Sequence, residues 1–445
     1  MSEERESWSS SLGFILAASG SAIGLGNLWR FPYLAAKNGG GAFVIVYLIF
    51  VLLLGLTLMI AEFAIGRNGK LDVYGSYIKL KKWLGFAGYL CIISCFIIYS
   101  YYAVIAGWII KYIVDFLNGG VSIPEKANFY GHISSVGLPI AYTALIIIIT
   151  AFIVIKGVKN GIEKAGKVMI PALSIFLVII TIRILFLPGA LDGIKYYLTP
   201  DFSKIDANAV LAAMGQVFFS LSLGLGAMLT YGSYLDNKID IVKESRIVVD
   251  LDTIISLIAG LAIIPATIVL GLELTSGPGL LFITLPSLFY MTPLGKIFGT
   301  LFFISVLFAA LTSTVAQLEV MVAFAMDQFN WKRKNITIII SLLVFTISIF
   351  NSLSFGTLAD VKIFFGMNFF DFLNYLTDNL LLPIGGLLIC IAVGYIWNEK
   401  ELIEHVTNGG EKKFRLVKIW LFLIRYIVPT ILILLILQSL KRFSI

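Results

Sequence analysis

Charged residues and the side chains that bind transition metals are scarce in this chain. Only 13% of its 445 residues are charged, and it has three cysteines and two histidines. Cys91, Cys95 and Cys390 lie in apolar stretches and make no disulfide framework, while His132 and His405 are too far apart in sequence for a zinc motif. No arrangement of nucleophile, base and histidine is visible either. We therefore expect neither an enzyme nor a protein with an organic cofactor.

Hydrophobic side chains, in contrast, make up 59% of the chain, and the mean hydropathy is +0.96. About 20 apolar residues cross a bilayer as a helix. About eleven apolar runs of suitable length occur, at 12–36, 41–66, 86–116, 138–156, 166–187, 208–235, 246–272, 296–329, 335–351, 371–397 and 416–438. The run from 277 to 290 is too short and too rich in proline to span, so we expect an external loop with a short helix there. These runs predict an all-α, polytopic protein of the cell membrane with a single membrane domain.

The basic residues lie mostly in alternate loops. If the amino terminus is cytoplasmic, most of the 33 lysines and arginines fall on the inner side, which is the usual bias of membrane proteins. We therefore predict a cytoplasmic amino terminus and, after eleven spans, an external carboxyl terminus. The net charge of +7 then needs no nucleic-acid partner. The residues do not specify an oligomeric state.

Two glycine-containing stretches, half a chain apart, interrupt long apolar segments. They lie at 19–27 and at 220–226. Inside a bilayer, interrupted helices are tolerated mainly where the backbone faces protein or a polar cavity. Spans one to five (1–187) and six to ten (208–397) each open with such a stretch, and 416–438 follows as an eleventh span, as expected for two inverted repeats of a transporter. The alternative is that the glycines only allow close helix packing.

Each interruption offers two kinds of binding group. The carbonyls at the end of one half-helix suit a cation, and the amides at the start of the other half suit a carboxylate. Sodium prefers oxygen ligands, which this region supplies. Asp252 would cost roughly 2.5 to 3.5 kcal/mol near mid-bilayer without a partner such as a cation, although a placement near the helix end is also open.

Three sequence blocks resemble a known family. The residues 21–33 (SAIGLGNLWRFPY), 38–43 (NGGGAF) and 62–67 (EFAIGR) closely resemble the neurotransmitter:sodium symporter family in its bacterial, LeuT-type branch. Further matches lie in Tyr101 and Tyr102 with Trp108, in 216–226 and in 309–313. The resemblance covers nearly the whole chain up to about residue 400. It implies the LeuT-type 5+5 inverted repeat, broken helices 1 and 6, and sodium-coupled symport.

The resemblance also implies a binding site. The amides near Leu25 and Gly26, with the hydroxyl of Tyr102, would hold a substrate carboxylate. The residues around the substrate side chain would be Ile98, Phe219, Ser222, Leu225, Ser313 and Gln317. One sodium site would use the carbonyl of Ala22, Asn27, Ser220, Asp252 and the substrate carboxylate. A second would use the carbonyls of Gly20, Ile23 and Ala309 with the hydroxyls of Thr312 and Ser313, unless those hydroxyls bond back to their own helix.

Gates on both sides of the site are implied as well. Arg30 with Phe219 would close the outer side. At the position where the family has an acidic partner for this arginine, the chain has Asn374, and Asp371 and Asp378 are nearby.

On the inner side, Arg5 and Trp8 resemble an amino-terminal latch with Asp327 as its partner. Glu62 is expected to brace the unwound backbone of span six, since an unpaired charge there would be costly.

Gly24 and Asp252 narrow the activity. Relatives that carry monoamines have an aspartate at the position of Gly24, so glycine implies a substrate with its own carboxylate, such as a free hydrophobic or aromatic amino acid. Leu225 and Gln317 would admit a larger side chain with a polar tip. Many chloride-dependent relatives carry asparagine at the position that matches Asp252 and serine where Ser256 stands, so we expect chloride-independent transport. A proton-coupled transporter of the same fold and a non-transporting amino-acid sensor are the alternatives.

Overall fold

The computed structural model describes residues 6–119, 125–269, 271 and 278–441. Within these ranges there is no β-strand, only isolated bridges between Gly40 and Pro200 and between Phe364 and Met367. The helices, numbered in chain order, are α1 (Ser11–Ala22), α2 (Gly26–Lys37), α3 (Gly41–Gly69), α4 (Val73–Leu80), α5 (Lys82–Leu117), α6 (Glu125–Ser134), α7 (Gly137–Ile155), α8 (Val158–Leu185), α9 (Ala190–Leu198), α10 (Ala207–Ser220), α11 (Ala227–Ser233), α12 (Ile241–Val269), α13 (Leu280–Met291), α14 (Gly295–Phe329), α15 (Arg333–Leu353), α16 (Phe369–Ile396), α17 (Glu399–Val406) and α18 (Val417–Leu440). The predicted all-α membrane fold is confirmed.

Nine of the described helices are long and apolar enough to cross a membrane, and α1 with α2 forms a further crossing that bends by 56° at its break. The 14 residues of α10 are apolar but too few to cross alone. Together α10 and α11 occupy the predicted sixth span, so the order of elements follows the eleven predicted apolar runs.

Some loops contain helices that the hydropathy pattern did not reveal. The connection before α7 contains α6, and the one before α10 contains α9. The short helix expected between 277 and 290 is present as α13. The fifth span begins at Val158 rather than at 166, because a helical turn that includes Glu163 is buried under the amino-terminal segment. From hydropathy alone, Glu163 and the lysines beside it are predicted to lie in a loop before the span.

The two central helices are α5 and α14. Most of their length is buried inside the protein, whereas α7, α8 and α18 leave much of their surface toward the membrane. Small residues let α14 approach its neighbours closely: Ala309, Ala310 and Ala316 are fully buried. The polar residues Tyr102 on α5 and Ser313 on α14 therefore face the interior, where both interrupted spans pass.

Candidate functional site

The first break lies between α1 and α2. The helical hydrogen bonds of α1 end with the amide of Ile23, which donates to the carbonyl of Ser19 at 2.7 Å. The amide of Gly24 donates to Oδ1 of Asn27 at 2.9 Å, and the amide of Leu25 donates to the hydroxyl oxygen of Tyr102 at 3.1 Å. The backbone amides between α1 and α2 therefore face the interior, where each donates to a side-chain oxygen.

The second break lies between α10 and α11. Three of its residues, Ser222, Gly224 and Gly226, have φ between 53° and 82°, a region that favours glycine. The hydroxyl of Ser222 donates to the carbonyl of Ser21 at 2.8 Å and so connects the two breaks. The amide of Gly224 donates to the fully buried Glu62 at 2.7 Å. Glu62 thus contacts the unwound segment in the expected way.

A small buried cavity of about 30 Å³ lies where the breaks meet α5 and α14. All nine residues predicted to bind the substrate line it: Leu25, Gly26, Ile98, Tyr102, Phe219, Ser222, Leu225, Ser313 and Gln317. Leu382 of α16 also lines it. Sequence reasoning missed Leu382 because α16 carries no recognisable motif. Apolar side chains from Leu25, Ile98, Phe219, Leu225 and Leu382 form part of the wall. The polar side chains that line the rest are Ser21, Asn27, Tyr102, Ser220, Ser222, Ser313 and Gln317.

Phe219 closes one side of this cavity. A Cβ at Gly26 would lie 2.7 Å from Cδ1 of Phe219, so only glycine allows the ring this close. The guanidinium carbon of Arg30 lies 5.1 Å from the centroid of the ring, and Nη1 of Arg30 lies 3.8 Å from Oδ2 of Asp378. Among Asn374, Asp371 and Asp378, the structure pairs Arg30 with Asp378, which lies one helical turn beyond Asn374.

The residues of the first predicted sodium site form one buried cluster. The amide nitrogen of Asn27 donates to Oδ1 of Asp252 at 2.7 Å and lies 3.1 Å from the hydroxyl of Ser220 and 2.8 Å from that of Ser256. The Ser220 hydroxyl donates to Oδ2 of Asp252 at 2.6 Å. Ala22 lies at the same cavity. Asp252 is fully buried within α12, so the alternative of a solvated helix end does not hold.

The residues of the second predicted sodium site lie where α1 packs on α14. A Cβ at Gly20 would lie 3.0 Å from Cβ of Thr312, so the two helices are in close contact there. Thr312 donates to the carbonyls of Phe308 and Ala309, and Ser313 donates to that of Ala309 at 3.1 Å. Both hydroxyls thus bond back to their own helix, and Ile23 follows the end of α1. A hydroxyl that donates its proton retains lone pairs for a cation.

Among the described residues, no three histidine, cysteine, aspartate or glutamate side chains lie close enough together to hold a metal ion. The oxygen atoms at the two breaks are backbone carbonyls, an amide, hydroxyls and the carboxylate of Asp252. Such a donor set suits a hard cation rather than zinc or iron.

The predicted inner gate is only partly described, because Arg5 lies outside the described residues. The indole of Trp8 donates to the carbonyl of Tyr231 at 3.0 Å and packs edge-on against its ring. Asp327 accepts from the amide of Asp72 at 2.6 Å. Burial, with the neighbouring Asp327 carboxylate, raises the pKa of Asp72 to about 6.

Sequence reasoning missed a set of serine contacts beside this gate. The amide of Ser9 and the hydroxyl of Ser10 donate to the buried carboxylate of Glu163 at 2.8 and 3.4 Å. The hydroxyl of Ser11 donates to Glu244 at 2.7 Å. Nothing in the polar amino-terminal sequence distinguishes these serines from a solvated tail. They attach the start of α1 to α8 and α12.

Comparison with known proteins agrees with this architecture. The sequence model of the Sodium:neurotransmitter symporter family matches residues 5–128 and 127–445. The chain is 37% identical to the sodium-dependent transporter YhdH of Bacillus subtilis, with 100% of both chains covered. It is 38% identical to the sodium-dependent transporter MJ1319 of Methanocaldococcus jannaschii, over 96% of this chain and 89% of that one. The crystal structure of MhsT in complex with L-phenylalanine is similar, with a TM-score of 0.90, 40% identity, and 98% of this chain and 100% of that chain covered.

Proposed function

The chain belongs to the sodium:neurotransmitter symporter family, whose LeuT-fold members are sodium-dependent multi-pass transporters, and from that premise we propose that it imports a free amino acid with a hydrophobic or aromatic side chain. The observation that carries the proposal is the cavity between the two breaks. The apolar part of its lining suits such a side chain, and the amide of Leu25 with the hydroxyl of Tyr102, which are bonded to each other beside the cavity, would suit a carboxylate. The similar MhsT structure contains L-phenylalanine, which supports the same substrate class.

We propose two sodium sites, built from the residues that the sequence indicated. The first is the cluster of Asn27, Ser220 and Asp252 with the carbonyl of Ala22, completed by the substrate carboxylate. The second consists of the carbonyls of Gly20, Ile23 and Ala309 and the hydroxyls of Thr312 and Ser313. The close packing of α1 on α14 supports the second site. A shared ligand at the first site would couple ion binding directly to substrate binding.

Charge balance supports transport that is independent of chloride. Two sodium ions and a zwitterion leave two positive charges in a buried site, and Asp252 supplies one fixed negative charge. We therefore expect uptake to continue at the same rate when chloride is replaced by gluconate. A loss of uptake in gluconate would contradict this role of Asp252.

The energetics allow concentrative uptake. At about 100 mV each inward sodium ion releases roughly 2.3 kcal/mol. A tenfold sodium gradient adds about 1.4 kcal/mol per ion, and concentrating the substrate a hundredfold costs about 2.7 kcal/mol. One ion would suffice, and two leave a margin.

Alternating access would use two inverted repeats and a gate on each side of the substrate cavity. We propose that 1–187 and 208–397 are the inverted repeats, that 416–438 lies outside them, and that the amino terminus is cytoplasmic and the carboxyl terminus external. The ring of Phe219 with Arg30 and Asp378 would close the outer side, and Arg5, Trp8 and Asp327 the inner side. The serine contacts to Glu163 and Glu244 would hold the inner side closed in addition.

The outer gate makes one specific prediction. Asp378→Asn should lower the initial uptake rate about fivefold, since a partly exposed ion pair contributes about 1 kcal/mol. Asp371→Asn, at an exposed position on the same helix, is the matched control and should leave the rate unchanged. Equal losses in both variants would show that Arg30 does not rely on Asp378.

Uptake into proteoliposomes tests the proposed function. Labelled L-phenylalanine should accumulate under an inward sodium gradient, and competition by the twenty amino acids should be strongest for hydrophobic and aromatic ones. Accumulation driven by a pH gradient instead would indicate a proton symporter, and binding without accumulation would indicate a sensor. Strongest competition by glycine or glutamate would contradict the proposed substrate class.

A further inference from the structure

A groove with an entirely apolar lining lies on the membrane-facing side of the protein, away from the substrate cavity. It has a volume of about 430 Å³ and lies between α5, α14 and α15. Its walls include Ile93 and Phe96 of α5, Phe324 and Ala325 of α14, and Leu343 of α15. More than half of the surface of Ile93 and of Leu343 is exposed. No described segment of the chain covers these side chains.

The position of the groove decides what kind of molecule can occupy it. All three helices that form it are membrane spans, so the groove opens into the hydrocarbon region, where lipid tails are the solvent. Its lining on α15 runs from Ile336 to Leu343, about 10 Å at the helical rise of 1.5 Å per residue. A length of this order fits part of an acyl chain.

One end of the groove carries groups that belong at the membrane surface. Trp331 lines that end, and its ring lies 5.9 Å from that of Phe329, an aromatic arrangement typical of the interface. The exposed Lys332 and Lys334 follow directly in sequence. Arg333, between them, points inward and pairs with the buried Glu319 at 2.6 Å.

The apolar lining of the groove and the lysines at its membrane-surface end suit the two parts of one lipid molecule. We propose that the groove binds one acyl chain of an anionic glycerophospholipid whose headgroup lies on Lys332 and Lys334. The tail alone would give little preference over bulk lipid, because lipid tails are as apolar as the lining. The two lysines supply the selectivity, at about fivefold per lysine for an anionic over a neutral headgroup. The site lies on the same side of the membrane as the amino-terminal segment, because Arg333 also contacts Glu6 at 3.3 Å.

Native mass spectrometry of the full-length protein in detergent tests whether the groove holds the lipid. The probe is an equimolar mixture of phosphatidylglycerol and phosphatidylcholine with identical acyl chains, and the protein should retain phosphatidylglycerol at least about tenfold more. Leu343→Trp, which fills the groove, should lower the retained lipid severalfold. Leu342→Trp is the matched control, since Leu342 is exposed on the same helix but does not line the groove, and should retain lipid like the wild type.

The headgroup site has its own variants. Lys332→Gln with Lys334→Gln should bring the retention of the two lipids to within about twofold, whereas Lys159→Gln with Lys164→Gln, the same charge change at exposed positions elsewhere, should keep the preference. Equal retention of both lipids by the wild type, or unchanged retention in Leu343→Trp, would overturn the proposal. A lipid-free dimer that Leu343→Trp dissociates would overturn it too, since a second copy of the chain would then fill the groove.

Discussion

Replacing Asp252 by asparagine should make uptake dependent on chloride. Without the carboxylate, the proposed buried sodium ion would have no fixed counter-charge, and removing one partner of a buried charge pair typically costs about 3 to 5 kcal/mol. In gluconate the uptake rate is therefore expected to fall at least about a hundredfold. Asp252 is fully buried and is bonded to Asn27 and Ser220. In chloride the rate should partly recover, since the hydroxyls of Ser220 and Ser256 and the amide of Asn27 can donate to an anion in place of the lost carboxylate.

The measurement is the initial rate of labelled L-phenylalanine uptake in chloride and in gluconate. Asp250→Asn is the matched control: Asp250 lies two residues earlier on α12, is largely exposed and pairs with Arg246 at 3.5 Å. It should transport like the wild type in both anions. Wild-type rates of Asp252→Asn in gluconate would mean that Asp252 does not balance the charge of the bound ions.

The second large effect is expected at Gly24. A Cβ there would lie 3.0 Å from the hydroxyl of Tyr102 and 3.2 Å from that of Ser313, so Gly24→Asp would place a carboxylate beside the donors proposed to hold the substrate carboxylate. Two like charges about 4 Å apart repel by about 4 kcal/mol at an effective dielectric constant of 20. Affinity for L-phenylalanine should therefore fall at least about a hundredfold, while affinity for phenethylamine, which lacks the carboxylate, should increase.

Gly24→Asn separates charge from crowding, because its side chain has nearly the same size and no charge. It should lose affinity for L-phenylalanine by less than Gly24→Asp does, and it should not gain affinity for phenethylamine. Equilibrium binding of both labelled ligands gives the comparison. Equal losses in the two variants would indicate a steric effect and would contradict the proposed carboxylate site.

The interruptions of the two spans were predictable because they depend on backbone chemistry that sequence displays directly. Gly224 and Gly226 adopt positive φ, and Gly26 allows the approach of Phe219; other residues would be strained or would clash. The position of Asp252 within an apolar run likewise pointed to a buried partner, and the structure places Asn27 and Ser220 against it.

Features that depend on register or on contacts between distant segments were not predictable. Asn374 and Asp378 lie one helical turn apart on the same face, so composition alone could not choose the partner of Arg30. Leu382 lines the cavity only because of how α16 packs. The contact of Ser9 with Glu163 joins residues more than 150 positions apart, and no local pattern marks it.

The central claim is that the two interrupted helices bind a sodium ion and an amino acid at one shared site. Equilibrium binding of L-phenylalanine to the purified protein, measured over a range of sodium concentrations at constant ionic strength with potassium as replacement, tests it most directly. If the substrate carboxylate is a ligand of the ion, the dissociation constant should fall at least about tenfold as sodium saturates, and L-phenylalanine should raise the affinity for sodium by the same factor. A dissociation constant that does not change between sodium and potassium would contradict the account.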